Sequence, residues 1–286
     1  MSNESAAYEW ESKAADWARH HAIFDRAFAA VTDAVLERAD IRTGQRVLDV
    51  GCGAGTLLAR SHGTGALPYG VDISESMVAA AGDRVPAATV VNADAQDADL
   101  LAATDSPPFD RIVSRFGVMF FSDPAEAFAN LRRASAPGAR IAFASWHHSA
   151  ENTFRHGLRR VAASLPEGTL PPAPGVDSPG PLGLATAAKI GTSMTPGGWT
   201  NIKATPVRVD INYGTAESNG VDERLQIVLA GNTGSAIREA VVAERGEDGW
   251  GEALETIRAE IAESICDGGV RFTDTVWIVS ATNPGS

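Results

Sequence analysis

The segment Val47-Leu48-Asp49-Val50-Gly51-Cys52-Gly53-Ala54-Gly55 is a short apolar run that breaks into three glycines at alternate positions. Such a run is a strand that turns sharply into a helix, because glycine reaches positive φ cheaply and lets a ligand or another backbone come close. Four more apolar runs follow, at Tyr69–Asp72, Thr89–Val91, Arg111–Val113 and Ile141–Ala144. Helical patterns fit between them at Ser74–Gly82, where Ser74 suits an N-cap, and at Pro124–Ala134, before Pro137-Gly138. Short apolar strands alternating with helices predict an α/β fold, a doubly wound parallel sheet covered on both faces.

Outside residues 45–150 the patterns change. Trp10, Ala14, Trp17, His21, Phe24, Phe28, Val31 and Val35 recur at steps of four and three, which predicts an N-terminal helical cap over residues 1–44. Trp10 and Trp17 on that face are candidates for covering a ligand site. Residues 151–200 hold a connection rich in proline and glycine, including Leu170-Pro171-Pro172-Ala173-Pro174-Gly175. A connection of that kind in an enzyme is read as a lid, a binding loop or a linker. In residues 201–286, strand-like runs at Ile202–Ile211 and Phe272–Val279 flank a helical insertion at about 217–268. Its clearest stripe is Leu254, Ile257, Ile261 and Ile265, stopped by Asp267-Gly268-Gly269.

Composition narrows the function. The 286 residues carry 24 Lys plus Arg against 36 Asp plus Glu, a formal net charge of -12, which disfavours a phosphate backbone as partner. Two cysteines, Cys52 and Cys266, make neither a disulfide framework nor a zinc pattern, and no His/Asp/Glu cluster has metal-ligand spacing. No stretch approaches the ~18 apolar residues of a membrane span, and acidic residues interrupt the N-terminus where a signal peptide needs an apolar run. The expectation is a cytoplasmic protein with a small-molecule partner, no nucleic acid, no membrane and no metal. The sequence does not reveal the oligomeric state.

Asp72 ends the second strand about twenty residues after the glycines, where a carboxylate can accept both hydroxyls of a ribose. Alone it also fits a helix cap, as Asp94 fits a turn, but their placement after successive strands favours a nucleoside site. A dinucleotide fingerprint needs a third glycine where Thr56 stands, which weakens the nicotinamide-dependent oxidoreductase alternative. Asp49, two residues before the first glycine, would repel a pyrophosphate and suits a ligand with an ammonium or sulfonium charge.

These segments, with Gly70-Val71-Asp72-Ile73-Ser74, Asn92-Ala93-Asp94-Ala95, Phe109 through Gly117 and Leu131 through Gly138, resemble the class I S-adenosylmethionine-dependent methyltransferases. The likeness is to the branch of ubiquinone and menaquinone biosynthesis methyltransferases and natural-product enzymes. The resemblance implies a Rossmann-like sheet of seven strands, mostly parallel with the last strand antiparallel, and a helical lid. It implies methyl transfer from S-adenosylmethionine to an O, C or N atom of a small molecule. It assigns Asp49 and the Gly51, Cys52 and Gly53 backbone to the methionine part, Asp72 to the ribose, Ile73 and Met77 to the adenine faces, and Asp94 with Ala95 to the adenine edge. Arg115 follows the fourth strand, where such enzymes contact the methionine part through the main chain. A non-catalytic S-adenosylmethionine-binding protein remains an alternative, because fold does not fix function. Aligned in-line transfer needs no general base. Where the acceptor has a proton to lose, His147 and His148 are the candidates, with Asp123 and Glu151 behind them. Phe116, with Trp10 and Trp17, is a candidate for acceptor contact.

Overall fold

The computed structural model describes residue 11, residues 20–170 and residues 178–285. Trp10, Trp17 and the segment 171–177 lie outside the described residues. In chain order the elements are α1 (His21–Ala27), α2 (Ala29–Ala39), β1 (Arg46–Val50), α3 (Thr56–Gly63), β2 (Leu67–Asp72), α4 (Glu75–Arg84), β3 (Thr89–Asn92), α5 (Leu100–Thr104) and β4 (Phe109–Arg115). A 3-10 turn (Val118–Phe120) leads to α6 (Pro124–Arg133), β5 (Ser135–Trp146), α7 (Glu151–Arg155), α8 (Arg159–Ser164) and α9 (Ala187–Met194). β6 (Thr200–Asn212), α10 (Val221–Ala230), α11 (Asn232–Ala262), β7 (Ile265–Cys266) and β8 (Gly269–Thr282) complete the order.

The strands form a sheet ordered β3-β2-β1-β4-β5-β8-β6, with β7 paired to β8 off that path. β1 to β5 are mutually parallel and β8 is antiparallel to both β5 and β6, the α/β arrangement expected, with one short strand more than the seven. The central strands read as continuous apolar runs because both faces are covered. Val47, Val113, Ala142 and Ile278 pack toward one face with α1, α2, α8, α10 and α11, and Leu48, Ile112, Phe143 and Val279 pack toward the other with α5, α6 and α9. β6 is an edge strand, which is why Pro206 is tolerated opposite Trp277.

The helix boundaries are set by local breaks, and one expectation, that for Ile265, changes. The stripe from His21 to Val35 runs through two helices, because Phe28 (φ −107°, ψ 23°) breaks the path between them, and His21 is exposed while Phe24, Phe28, Val31 and Val35 are buried. In the insertion, α11 stops at Ala262, so Ile265 leaves the helical stripe and sits 40% exposed on β7. Asp267 (φ 48°) and Gly268 (φ 79°) form a two-residue hairpin turn with both φ values positive, and that turn chemistry overrides the helical period. α11 also bends at Gly246 (φ 70°, ψ −173°), a conformation open essentially to glycine alone.

Candidate active site

The C-terminal ends of β1, β2 and β4 converge, and open α/β sheets bind ligands at such edges. Gly51 (φ 65°) and Gly53 (φ 51°) turn the chain from β1 toward α3. A Cβ on Gly51 would lie 2.8 Å from the Gly117 Cα, and one on Gly117 would lie 2.5 Å from the Val50 carbonyl oxygen. The β1 and β4 ends therefore touch backbone to backbone.

Asp72 holds this turn from β2: its carboxylate accepts from the Gly53 amide at 2.8 Å and the Ser74 amide at 3.0 Å. Burial pushes its pKa up, and the amides of Ser74, Gly53 and Ile73 oppose that. Ile73 is half-buried and Met77 is buried on α4, whose N-cap hydroxyl, Ser74 Oγ, accepts from the Met77 amide at 3.2 Å and donates to Glu11 at 2.8 Å. After β3, Asp94 accepts from the Gln96 amide at 2.8 Å, and burial raises its pKa. The Ala95 carbonyl accepts from Asn130 Nδ2 at 3.1 Å, and Gln96 Oε1 accepts from Ser122 Oγ at 3.0 Å and the Asp123 amide at 2.9 Å. The loops after β3 and β4 are thereby fixed to each other.

Asp49 lies inside β1, 2% exposed, beside Gly70 and Val113. Its Oδ1 is buried without a hydrogen-bond partner. Burial pushes the carboxyl up to about 8; the Arg115 guanidinium opposes this, and the Asp72 carboxylate adds to it. Arg115 is itself committed elsewhere. It donates to Thr32 Oγ1 at 2.9 Å and Thr56 Oγ1 at 3.2 Å, and pairs with Asp25 at 3.6 Å. Asp25 on α1 also accepts from the Thr56 hydroxyl and pairs with Arg84. Burial raises the Asp25 pKa, but the bonds from Thr56 and Arg84 and the two guanidinium charges outweigh it and hold the carboxylate below its ordinary range. Sequence reasoning missed Asp25, Arg84 and Gly117. The first two have no local signal, being partners across 59 residues, whereas Gly117 stood in view beside Phe116.

Phe116 adopts φ +71°, uncommon for a bulky residue, and stacks on Trp146 with ring centroids 4.3 Å apart and planes 8° from parallel. Phe28 meets both rings edge-on at 5.6 Å, and Phe154 meets Trp146 at 5.6 Å. This aromatic wall stands beside the glycine turn, because Gly117 follows Phe116 directly. His147 and His148 are placed differently. The His147 ring lies 4.0 Å from that of His148 and 5.0 Å from Trp277, which belongs to the apolar cluster on the opposite face from Trp146. Its Nδ1 accepts from the Ser149 amide at 3.2 Å, which puts the neutral ring's proton on Nε2. Burial and the neighbouring His148 lower its pKa. Asp123 caps α6 by accepting from the Ala125 and Glu126 amides, each at 3.0 Å. Cys52 is buried and unpaired, its thiol pushed up by burial.

None of the described helices is long and apolar enough to cross a membrane, and among the described residues no cluster of three His, Cys, Asp or Glu could hold a metal ion.

Comparison with known proteins finds relatives for the segment that carries these residues. The profile of a methyltransferase domain family matches residues 48–143. The methyltransferase GfsG of Streptomyces halstedii is 33% identical over 144 residues, 48% of this chain and 49% of that protein, so the chain spans about half of that relative's length. A ubiquinone biosynthesis O-methyltransferase of Thiobacillus denitrificans is 27% identical over 59% of this chain and 76% of that one. A phosphoethanolamine N-methyltransferase of Haemonchus contortus, solved with S-adenosylhomocysteine, shares the fold with a TM-score of 0.51 and 18% identity, over 93% of this chain and 58% of that one. Gly51, Gly53, Asp72, Asp94 and the β4–Phe116–Gly117 elbow all fall within the segment that is similar to this methyltransferase domain family.

Proposed function

We propose that this chain binds S-adenosylmethionine at the ends of β1, β2 and β3 and transfers its methyl group to an O, C or N atom of a small, largely apolar acceptor. The observation that carries this reading is the orphaned Asp49 Oδ1, buried beside a glycine turn that Asp72 holds in place. A ligand bringing a cation and hydrogen-bond donors supplies what that oxygen lacks, and the ammonium of a methionine part is such a group. A dinucleotide's pyrophosphate brings no cation to that oxygen.

When bound, the cofactor supplies a methyl group activated by its sulfonium. The protein's residues do the rest. The Gly51, Cys52 and Gly53 backbone and Asp49 hold the methionine part. Asp72 has lone pairs left after its two amide bonds and accepts the ribose hydroxyls. Ile73 and Met77 cover the adenine, and Asp94 and Ala95 meet its edge. The Arg115 main chain borders the methionine part while its side chain pins α1, α2 and α3 together. Phe116 and its stack on Trp146 present the acceptor, and we assign Trp10 and Trp17 to acceptor contact as well. Such alignment contributes up to roughly 7 to 11 kcal/mol to a displacement, so a base is optional. For an acceptor with a proton to lose, we assign His147 and His148, just past the end of β5, to take it, which requires the acceptor to reach past the Trp146 side to the Trp277 side where the His147 ring lies. The net charge of -12 supports a small molecule over a nucleic acid, and the unpaired Cys52 and Cys266 fit a reducing cytoplasmic setting.

Titration calorimetry with S-adenosylhomocysteine tests the site. Asp72→Asn removes the charge from the ribose bonds, and affinity should fall tenfold or more, since hydrogen bonds to charged groups are worth about 1.5–3 kcal/mol each. Equal affinity in wild type and variant would overturn this placement of the nucleoside.

A further inference from the structure

The donors around Asp49 are spent on other acceptors. The Gly51 and Cys52 amides both donate to the Val71 carbonyl, at 2.9 and 3.1 Å, the Gly53 amide donates to Asp72, and the Gly55 amide donates to the Cys52 carbonyl at 3.0 Å. Arg115, from β4, is the cation facing Asp49, and its guanidinium is bonded to Thr32 and Thr56 and paired with Asp25 of α1. Arg84 of α4 stands behind Asp25 and shares it. From β2 the facing group is another carboxyl, Asp72, and from the glycine turn it is the Cys52 thiol. An ionised Asp49 would therefore be a buried charge with one oxygen bonded to nothing, which costs several kcal/mol, while a protonated one is a neutral group in an apolar strand.

Resting on the reading of the site given above, we propose that Asp49 carries a proton in the ligand-free protein and releases it to solvent as the ligand's ammonium takes its place, making the site select its ligand by that charge. The exchange balances: a carboxylic acid and an ammonium become a carboxylate–ammonium pair plus one proton in the buffer. The direction in which burial moves the carboxyl agrees with it. It also gives Asp49 a part in discrimination that Asp72 lacks, because a ribose carries no charge.

The test is calorimetry near pH 7 with the full chain, in phosphate and in Tris, whose ionisation enthalpies differ strongly. S-adenosylhomocysteine binding should release between about 0.5 and 1 proton, given a carboxyl near 8 and a ligand amine already mostly charged. Its Kd should tighten by up to about tenfold per pH unit as the pH rises toward 8 and then level off. 5′-Methylthioadenosine, which keeps the nucleoside and thioether but has no ammonium, should bind with the same heat in both buffers. Asp49→Asn, nearly isosteric, should bind S-adenosylhomocysteine with buffer-independent heat. Binding of S-adenosylhomocysteine by the wild type with equal heats in the two buffers would overturn the inference while leaving the site in place. Equal proton release with 5′-methylthioadenosine, or from Asp49→Asn, would also overturn it. No binding at any pH by folded protein would remove the site and the inference together.

Discussion

Gly117 offers a substitution whose sign is decided by a contact. It sits at φ −74° and ψ −43°, a conformation any residue adopts, so an alanine there would ordinarily stabilise by about 0.4–1 kcal/mol through the unfolded chain. Its added Cβ, however, would lie 2.5 Å from the Val50 carbonyl oxygen, 2.9 Å from the Gly51 Cα and 3.0 Å from Ser114 Oγ. The first two atoms are backbone, so the ends of β1 and β4 must part by roughly half an ångström or more, and overpacking of that kind costs about 1–3 kcal/mol. Gly117→Ala should therefore unfold at lower urea, with a net loss of about 1–3 kcal/mol and an unchanged m-value. Gly82 in α4 is the control: a Cβ there meets nothing within 4 Å, and Gly82→Ala should stabilise by about 0.5–1 kcal/mol as a helix substitution. If Gly117→Ala proved as stable as wild type, the close approach of the two strand ends would be refuted, and with it the geometry of the turn.

Three further outcomes follow from the charged groups. Asp25→Ala leaves Arg115 buried without its carboxylate, and should cost about 3 kcal/mol near pH 7. Because the folded Asp25 pKa lies below its ordinary value, that contribution is present above about pH 4 and lost as pH falls further, so wild type and variant should converge in acid; parallel urea midpoints down to pH 3 would refute it. Asp49 has the opposite sign. Its folded carboxyl keeps a proton that the unfolded chain loses from about pH 4, so wild-type stability should fall between pH 4 and 8, by up to about 5 kcal/mol. Asp49→Asn should flatten that decline, and an unchanged pH profile would contradict it. Arg224, 1% exposed on α10, donates to the Thr153 and His156 carbonyls at 2.9 and 3.0 Å and lies 5.2 Å from the Phe272 ring centre. Arg224→Met strands two carbonyls, and faster amide exchange across α7 and α8 should report about 2–4 kcal/mol lost; unchanged exchange there would show that it does not tie α10 to them.

The sheet was legible because its signals are local. Each of the first five strands contains a short apolar run, and a glycine follows β1 and an acid ends β2. Asp49, Asp72 and Asp94 could be placed for the same reason: in a parallel sheet, residues that end successive strands come to one edge. Ile265 was misplaced because a helical period was followed past Asp267-Gly268, whose turn preference is the stronger local signal. The support around the site was not legible. Asp25 reaches Thr56, Arg84 and Arg115 across 31, 59 and 90 residues, and no spacing rule encodes contacts of that length. Neither the positive φ of Phe116 nor the orphaned oxygen of Asp49 can be read from the residue types alone, since both are products of packing. The face on which His147 rests could have been read from β5 alternation, which puts it opposite Trp146.

The central claim is that the edge formed by Asp49, Gly51, Asp72 and Asp94 is an S-adenosylmethionine site. A thermal-shift comparison of the folded, ligand-free protein with S-adenosylmethionine, S-adenosylhomocysteine, NADH and NADPH tests it most directly. At a hundred times the dissociation constant a ligand stabilises by about 2.7 kcal/mol, which raises the midpoint of a protein this size by roughly 5 to 10 °C. That rise is expected with the first two ligands and not with the nicotinamides; a rise with NADH or NADPH alone, or with none of the four, would contradict an S-adenosylmethionine site at this edge.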